Sequence, residues 1–165
     1  MTTNFQEFVA KRTKKPDEDS RYMEIAIRAA EQAKANGDDP YGAVLVYPGG
    51  HMVEHDTCFS ERDRTCHAEM NVLRKVARTK LRKLDDCVLY TTVEPCPMCA
   101  HAALLAGVRE VVFGAYDDKN GFLTSDRLRS VAEGLAVKGG ILGEQCLAVL
   151  PDIIKEHTRV EKQNV

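Results

Sequence analysis

No run of about 18 apolar residues, the length a membrane helix requires, occurs anywhere in this 165-residue chain. Nor does its beginning combine a charged start, an apolar stretch and a small-residue cleavage site. The expectation is therefore a cytoplasmic protein with no membrane association. An excess of basic residues is equally absent. Lys and Arg total 23 against 25 Asp and Glu, a net charge of −2, whereas nucleic-acid binders usually carry a basic domain or stripe. That balance argues against a nucleic-acid partner. Internal repeats and low-complexity tracts are missing too. Six cysteines are present, but disulfide frameworks belong mostly to short secreted chains, and two of these six have another use. Cys87 and Cys146 lie in apolar runs and read as buried hydrophobes, while Cys58 and Cys66 lie near the residues singled out below.

The length suits one domain with a real core. Residues 1–19 are charge-dense, contain Pro16 and lack apolar periodicity, which predicts a flexible arm ahead of a single domain over 20–165. Helical spacing then runs through Tyr22, Met23, Ile25, Ala26, Ala29, Ala30 and Ala33, with Asp19 or Ser20 as cap and Gly37 as stop. Ala43 to Tyr47 and Met52 to Cys58 read as a hairpin around Pro48-Gly49-Gly50. Helix His67 to Arg78, strand Cys87 to Val93, helix Pro97 to Ala106 and strand Glu110 to Ala115 follow, the last two strands parallel because a helix crosses between them. Tyr116 to Ser130 reads as irregular, Leu135 to Lys138 as a short fifth strand and Glu144 to His157 as a last helix. Alternating strands and helices predict an α/β fold, a three-layer α/β/α sandwich around a mixed five-stranded sheet.

Two short motifs carry the chemistry: His67-Ala68-Glu69, and Pro95-Cys96-Pro97-Met98-Cys99. Zinc accepts imidazole nitrogen and thiolate sulfur, and a catalytic zinc characteristically keeps three protein ligands and leaves the fourth place to water. His67, Cys96 and Cys99 supply three. A water so bound is acidified toward neutral pH, and Glu69 stands two residues away to take and return its proton. If Cys96 opens a helix, Cys96 and Cys99 share one face a turn apart, and Pro97 fits that first turn. A structural zinc clip would want a fourth ligand of its own, and a redox Cys-x-x-Cys pair would account for neither His67 nor Glu69. An isolated Glu69 would read as an ordinary first-turn carboxylate favoured by the helix dipole.

The two motifs resemble the zinc-dependent cytidine deaminase superfamily, with its H-x-E and P-C-x-x-C signature. The similarity spans about Tyr22 to Leu150, through Pro40-Tyr41-Gly42-Ala43-Val44 and Val112-Phe113-Gly114-Ala115, and lies within the branch holding guanine deaminases, fungal-type cytosine deaminases and tRNA adenosine deaminases. The resemblance implies a cytidine deaminase-like fold, a Zn2+ cofactor, hydrolytic loss of ammonia from an amino-substituted azaheterocycle, and a homodimer, for which Leu104 and Leu105 are candidate contacts. It also implies that the backbone N–H of Ala68 and the carbonyls of Glu94 and Pro95 face the substrate. Members generally carry asparagine eleven residues before the histidine ligand, where this chain has Asp56. An ionised aspartate only accepts hydrogen bonds, so the change favours a substrate that presents an N–H. Tyr41 is either pocket wall or core, Phe59 either stacks on a planar substrate or covers the hairpin end, and Asp117, Asp118 and Phe122 lie in the loop that closes the site in related enzymes.

Pro40-Tyr41-Gly42-Ala43 looks most like guanine deaminases, and Gly114 to Gly121 more like tRNA adenosine deaminases. With the charge balance, the expected substrate is a small free nucleobase of guanine or cytosine type. The alternatives are a tRNA adenosine deaminase and, from another class, a non-catalytic zinc-binding partner subunit, against which an intact Glu69 argues.

Overall fold

The computed structural model describes residues 16–81, 83–124 and 135–161. Helix α1 runs from Pro16 to Asn36, starting at a proline, the residue best tolerated in a first turn. Met23, Ala26, Ala30 and Ala33 are fully buried along one stripe, and Gly37, with φ of 84°, takes the left-handed conformation that ends the helix. The helix begins earlier than its apolar periodicity suggests. Asp19 is buried inside it, accepts the Tyr90 hydroxyl at 2.8 Å and meets Lys138 Nζ at 2.6 Å. Those partners come from distant strands, so no local pattern announces them. Residues 1–15 of the expected arm fall outside the described residues.

Strands β1 (Gly42–Tyr47) and β2 (Gly50–His55) form the expected antiparallel hairpin, with Val44 opposite Val53 and Gly49 turning at φ of 94°. Strand β3 (Val88–Val93) pairs antiparallel with β1, and β4 (Glu110–Asp117) pairs parallel with β3. Strand β5 (Ala136–Lys138) adds parallel to β4, giving the order β2-β1-β3-β4-β5. A sixth strand, β6 (Thr158–Arg159), pairs antiparallel with the end of β4. The mixed sheet thus has six strands among the described residues, one more than the pattern predicts, because a two-residue strand carries no periodicity.

Side chains alternate across the sheet. Leu45, Leu89, Val111 and Phe113 join the core under helices α2 (Ala68–Ala77) and α3 (Pro97–Ala106). Val44, Val46, Tyr90 and Val112 join the core under α1 and α4 (Gly143–Val149), with Cys146 among them and Cys87 in the first layer. The predicted last helix is broken at Pro151 into α4 and a short α5 (Asp152–Lys155). On α3, Leu105 is 89% exposed and Leu104 half-buried. No helix among the described residues is long and apolar enough to cross a membrane.

The first helix lies very close to β1. A Cβ on Gly42 would stand 1.9 Å from the Ala26 carbonyl oxygen, so only glycine permits this packing.

Candidate active site

Helices α2 and α3 both start at the same end of the sheet, and the residue that caps each is a zinc-motif residue. His67 precedes α2 with φ −61° and ψ 153°, and Cys96 precedes α3 with φ −69° and ψ 169°. Neither side chain caps its own helix. Both are free to point across the gap between the two helices. Pro97 sets the first turn of α3 and brings Cys99 round beside Cys96.

His67 Nδ1 lies 3.7 Å from Cys96 Sγ and 3.5 Å from Cys99 Sγ. Zinc bonded tetrahedrally to one nitrogen and two sulfurs at ordinary lengths separates N from S by about 3.6 Å. The three donors therefore already have the spacing a zinc ion sets, and the chemistry of the set fits zinc. The Cys99 thiol donates to Cys96, and His67 adds a second hydrogen bond, so Cys96 is lowered to about 4 despite its burial. Cys99 is raised by sharing that proton and by burial. His67 is raised to about 9, chiefly by its contact with Cys96.

Glu69, in the first turn of α2, is 8% exposed and lines the same cavity as His67 and Cys96. Burial pushes its carboxyl up to about 7, reinforced by the Cys96 charge. A carboxyl balanced near neutrality can both take and give a proton. The cavity holds about 460 Å³ and opens to solvent. Its wall includes Asp56, Tyr41, Glu94 and Asp117 from the sequence-derived set, and Asp39, Arg64, Thr91, Thr92 and Asn120, which the sequence did not single out. Asp39 follows directly on Asp38, which is buried, and precedes Pro40. Thr92 accepts the Gly42 N–H at 3.2 Å and fixes the floor.

Asp56 is 1% exposed. One carboxylate oxygen accepts the Cys58 backbone N–H at 2.9 Å, and the other accepts the Cys58 thiol at 3.3 Å. Burial raises its pKa. Asp56 therefore holds a turn as well as facing the cavity, beside His67. Tyr41 is half-buried and packs against both core layers while presenting one edge to the cavity, so the two readings of it coexist.

Glu94 is buried and organises the loop after β4. Its Oε1 accepts the Thr124 N–H at 2.7 Å and the Thr124 hydroxyl at 2.9 Å, and its Oε2 accepts the Asp117 N–H at 3.3 Å. Asp117 in turn accepts the N–H groups of Lys119 and Asn120 and contacts His157 Nδ1 at 3.0 Å. The Pro95 carbonyl is taken by the Phe122 N–H at 3.1 Å. Phe122 is buried against the His101 ring rather than lining the main cavity. Asp118 pairs with Arg159 at 2.7 Å, away from the cavity wall. Ala68 is buried in the first turn of α2, where backbone N–H groups have no acceptor within the helix. Phe59 is 65% exposed and stands outside the cavity lining.

Residues 16–115 match the family described as "Cytidine and deoxycytidylate deaminase zinc-binding region". The chain is 36% identical over 154 residues to a tRNA-specific adenosine deaminase of Bacillus subtilis, covering 88% of this chain and 94% of that one. A solved structure from work on A-to-I editing by tRNA:A34 deaminases at the wobble position of transfer RNA superposes with a TM-score of 0.73. It is 31% identical and covers 79% of this chain and 99% of that one. The guanine deaminase of Nitrosomonas europaea, at 21% identity and a TM-score of 0.72, covers 90% and 92% and shares the fold. These relatives correct two expectations, that nucleic acid is an unlikely partner and that the substrate is a small molecule. Whole-chain charge misled because it averages over the molecule and says nothing of the few side chains at a cavity mouth.

Proposed function

This chain belongs to the cytidine and deoxycytidylate deaminase zinc-binding family, and from that premise we propose that it is a tRNA adenosine deaminase, converting an adenosine in a tRNA loop to inosine. The observation that carries the reading is the 36% identity across nearly the whole length of a tRNA-specific adenosine deaminase. It is supported by a buried carboxyl, Glu69, set beside three convergent zinc donors in an open cavity.

His67, Cys96 and Cys99 would hold zinc, which when bound acidifies a water so that it can attack an electron-poor carbon near neutral pH. Glu69 takes a proton from that water and delivers it to ring nitrogen N1, which makes the adjacent C6 a better acceptor. The oxygen adds to C6 as the N1–C6 double bond opens, and the C6–N bond breaks only afterwards, as the C6=O bond forms. Glu69 then takes the second proton, from the new C6–OH, and gives it to the amine as it leaves, so adenosine and water give inosine and ammonia. Glu69 can serve twice because burial holds it near the midpoint of its titration. Thr91, Thr92 and Tyr41 shape the flat wall against which the base would lie. Glu94 holds the loop from Asp117 to Thr124, of which Asp117 and Asn120 line the cavity.

The test is A-to-I conversion of a tRNA anticodon stem-loop containing adenosine at the wobble position, with zinc-loaded Glu69→Ala protein as the blank. Inosine formation with wild type alone is the expected result. No conversion, with ammonia released from a free base instead, would overturn it.

A further inference from the structure

The loop between β2 and α2 forms the rim of the cavity, and its construction is unusual for an exposed turn. It is pinned from below at three points. Asp38, itself buried, accepts the backbone N–H groups of Phe59 and Ser60 at 2.9 Å each. Asn71 of α2 donates to His55 O, Thr57 Oγ1 and Cys66 O. Arg74 reaches back to Thr65 Oγ1 at 2.9 Å. Three anchors fix a loop whose outer side chains make no use of that rigidity.

Those outer side chains are Phe59, Arg62 and Arg64. Phe59 is the largest exposed aromatic among the described residues, at 65%. It does not line the cavity, so it is misplaced for stacking on a base seated above Glu69, but Asp38, which holds its N–H, directly precedes the cavity-lining Asp39. Arg64 is exposed and is the one arginine or lysine among the cavity's lining residues. Arg62 is exposed and sits at φ of 54°, a conformation that costs a non-glycine residue and persists only where the surroundings impose it. Neither arginine has an ion-pair partner among the described residues. Of the acids nearby, Asp63 is engaged by the N–H and hydroxyl of Thr65, Glu61 is exposed, and Asp56 and Glu94 of the cavity wall accept hydrogen bonds from Cys58 and Thr124.

A rigidly held aromatic face beside unpaired guanidinium groups is the combination that binds single-stranded nucleic acid, stacking for the base and charge for the backbone. We propose that this rim loop is an RNA-binding lip, in which Phe59 stacks on the nucleotide flanking the reacting one and Arg64 holds the phosphate between them, with Arg62 facing the next phosphate. The assignment rests on the RNA reading of the cavity and deepens it. The base to be deaminated enters the pocket past Arg64 while its neighbour stays outside on Phe59. Pre-fixing the loop lowers the ordering cost of binding, which is the physical use of the Asp38 and Asn71 anchors.

The experiment uses the zinc-loaded full chain and an adenosine-containing anticodon stem-loop, measuring kcat, KM and the salt dependence of binding for wild type, Phe59→Ala, Phe59→Trp, Arg64→Ala and Arg64→Glu. Because these side chains are exposed, the melting temperature and zinc content should match wild type. Loss of one stacked base should raise KM roughly tenfold in Phe59→Ala, with a smaller fall in kcat, and Phe59→Trp should restore it. Arg64→Ala should lower the slope of log K against log salt by about 1, and Arg64→Glu should weaken binding further. Wild-type editing of the stem-loop with Phe59→Ala and Arg64→Ala indistinguishable from it overturns this inference and leaves the deaminase reading standing. A wild-type protein that neither binds nor edits the stem-loop overturns both.

Discussion

Asp38 Oδ1 and the backbone N–H of Phe59 meet at 2.9 Å across 21 residues of sequence, and the neighbouring Ser60 N–H reaches the same oxygen at the same distance. One buried carboxylate thus holds the crest of the loop that borders the cavity.

Burial pushes the Asp38 carboxyl up, but the hydrogen bonds from Ser60 and Phe59 together outweigh it and hold it below the ordinary value of 3.8. Its stabilising contribution is complete above that range and disappears as pH falls through the lowered value. Asp38→Ala should cost about 1 to 3 kcal/mol, since two N–H groups lose a charged acceptor. Asp38→Asn should cost less, because an amide oxygen can still accept both. Urea melts at pH 7 read the difference, and proteolysis within 57–66 of Asp38→Ala reads the freed loop.

Replacing His67, Cys96 or Cys99 with Ala should reduce zinc from about one ion per chain to almost none, while Glu69→Gln should keep the zinc and lose activity by about 10² to 10⁴. Metal analysis alongside turnover separates these cases. A Glu69→Gln protein as active as wild type would remove Glu69 from the chemistry. Chelation should also lower the melting temperature, because a zinc ion held by His67 and Cys96 would tie together the caps of two helices.

Asp56→Asn should leave the turn to the Cys58 N–H intact, since the amide oxygen replaces Oδ1, and should add a donor facing the cavity. Adenine presents bare ring nitrogens, so kcat/KM for adenosine in RNA should rise by about threefold to tenfold, the worth of one modest hydrogen bond. An unchanged or lower value would confine Asp56 to holding the turn with Cys58.

Gly121→Ala would place a Cβ 2.3 Å from the Asp117 carbonyl oxygen and 2.5 Å from Glu94 Oε2. The loop must shift, so kcat on the stem-loop should fall while the zinc content holds. Glu94→Gln should act in the same direction and cost about 1 to 3 kcal/mol, because an amide cannot offer acceptors to both Thr124 and the Asp117 N–H.

The convergence of His67, Cys96 and Cys99 was legible in the sequence because their spacing encodes geometry: two cysteines a turn apart after a proline, and a histidine two residues from a carboxylate. The parallel β3–β4 pair and the hairpin followed from helix and turn signals in the same way. What stayed hidden depends on partners far apart in the chain. Asp19 looked like part of a charged arm because Tyr90 and Lys138 are distant, and β6 was invisible because two residues have no period. The cavity wall behaves likewise. Asp39, Arg64 and Thr91 are unremarkable in sequence and become neighbours only when β1, β3 and the rim loop meet. The tRNA-acting relatives run against the expectation of a small-molecule substrate, which leaned on net charge, a property of the whole chain that says nothing of single side chains at a cavity mouth.

The contact between Gly42 and the Ala26 carbonyl leaves no room for a spacer between the first helix and the strand that forms the cavity floor. The far side of the sheet is therefore a supporting beam for the pocket. A bulkier residue at position 42, or any change that tilts α1, would be transmitted through the strand to the cavity wall, with none of His67, Glu69, Cys96 and Cys99 touched.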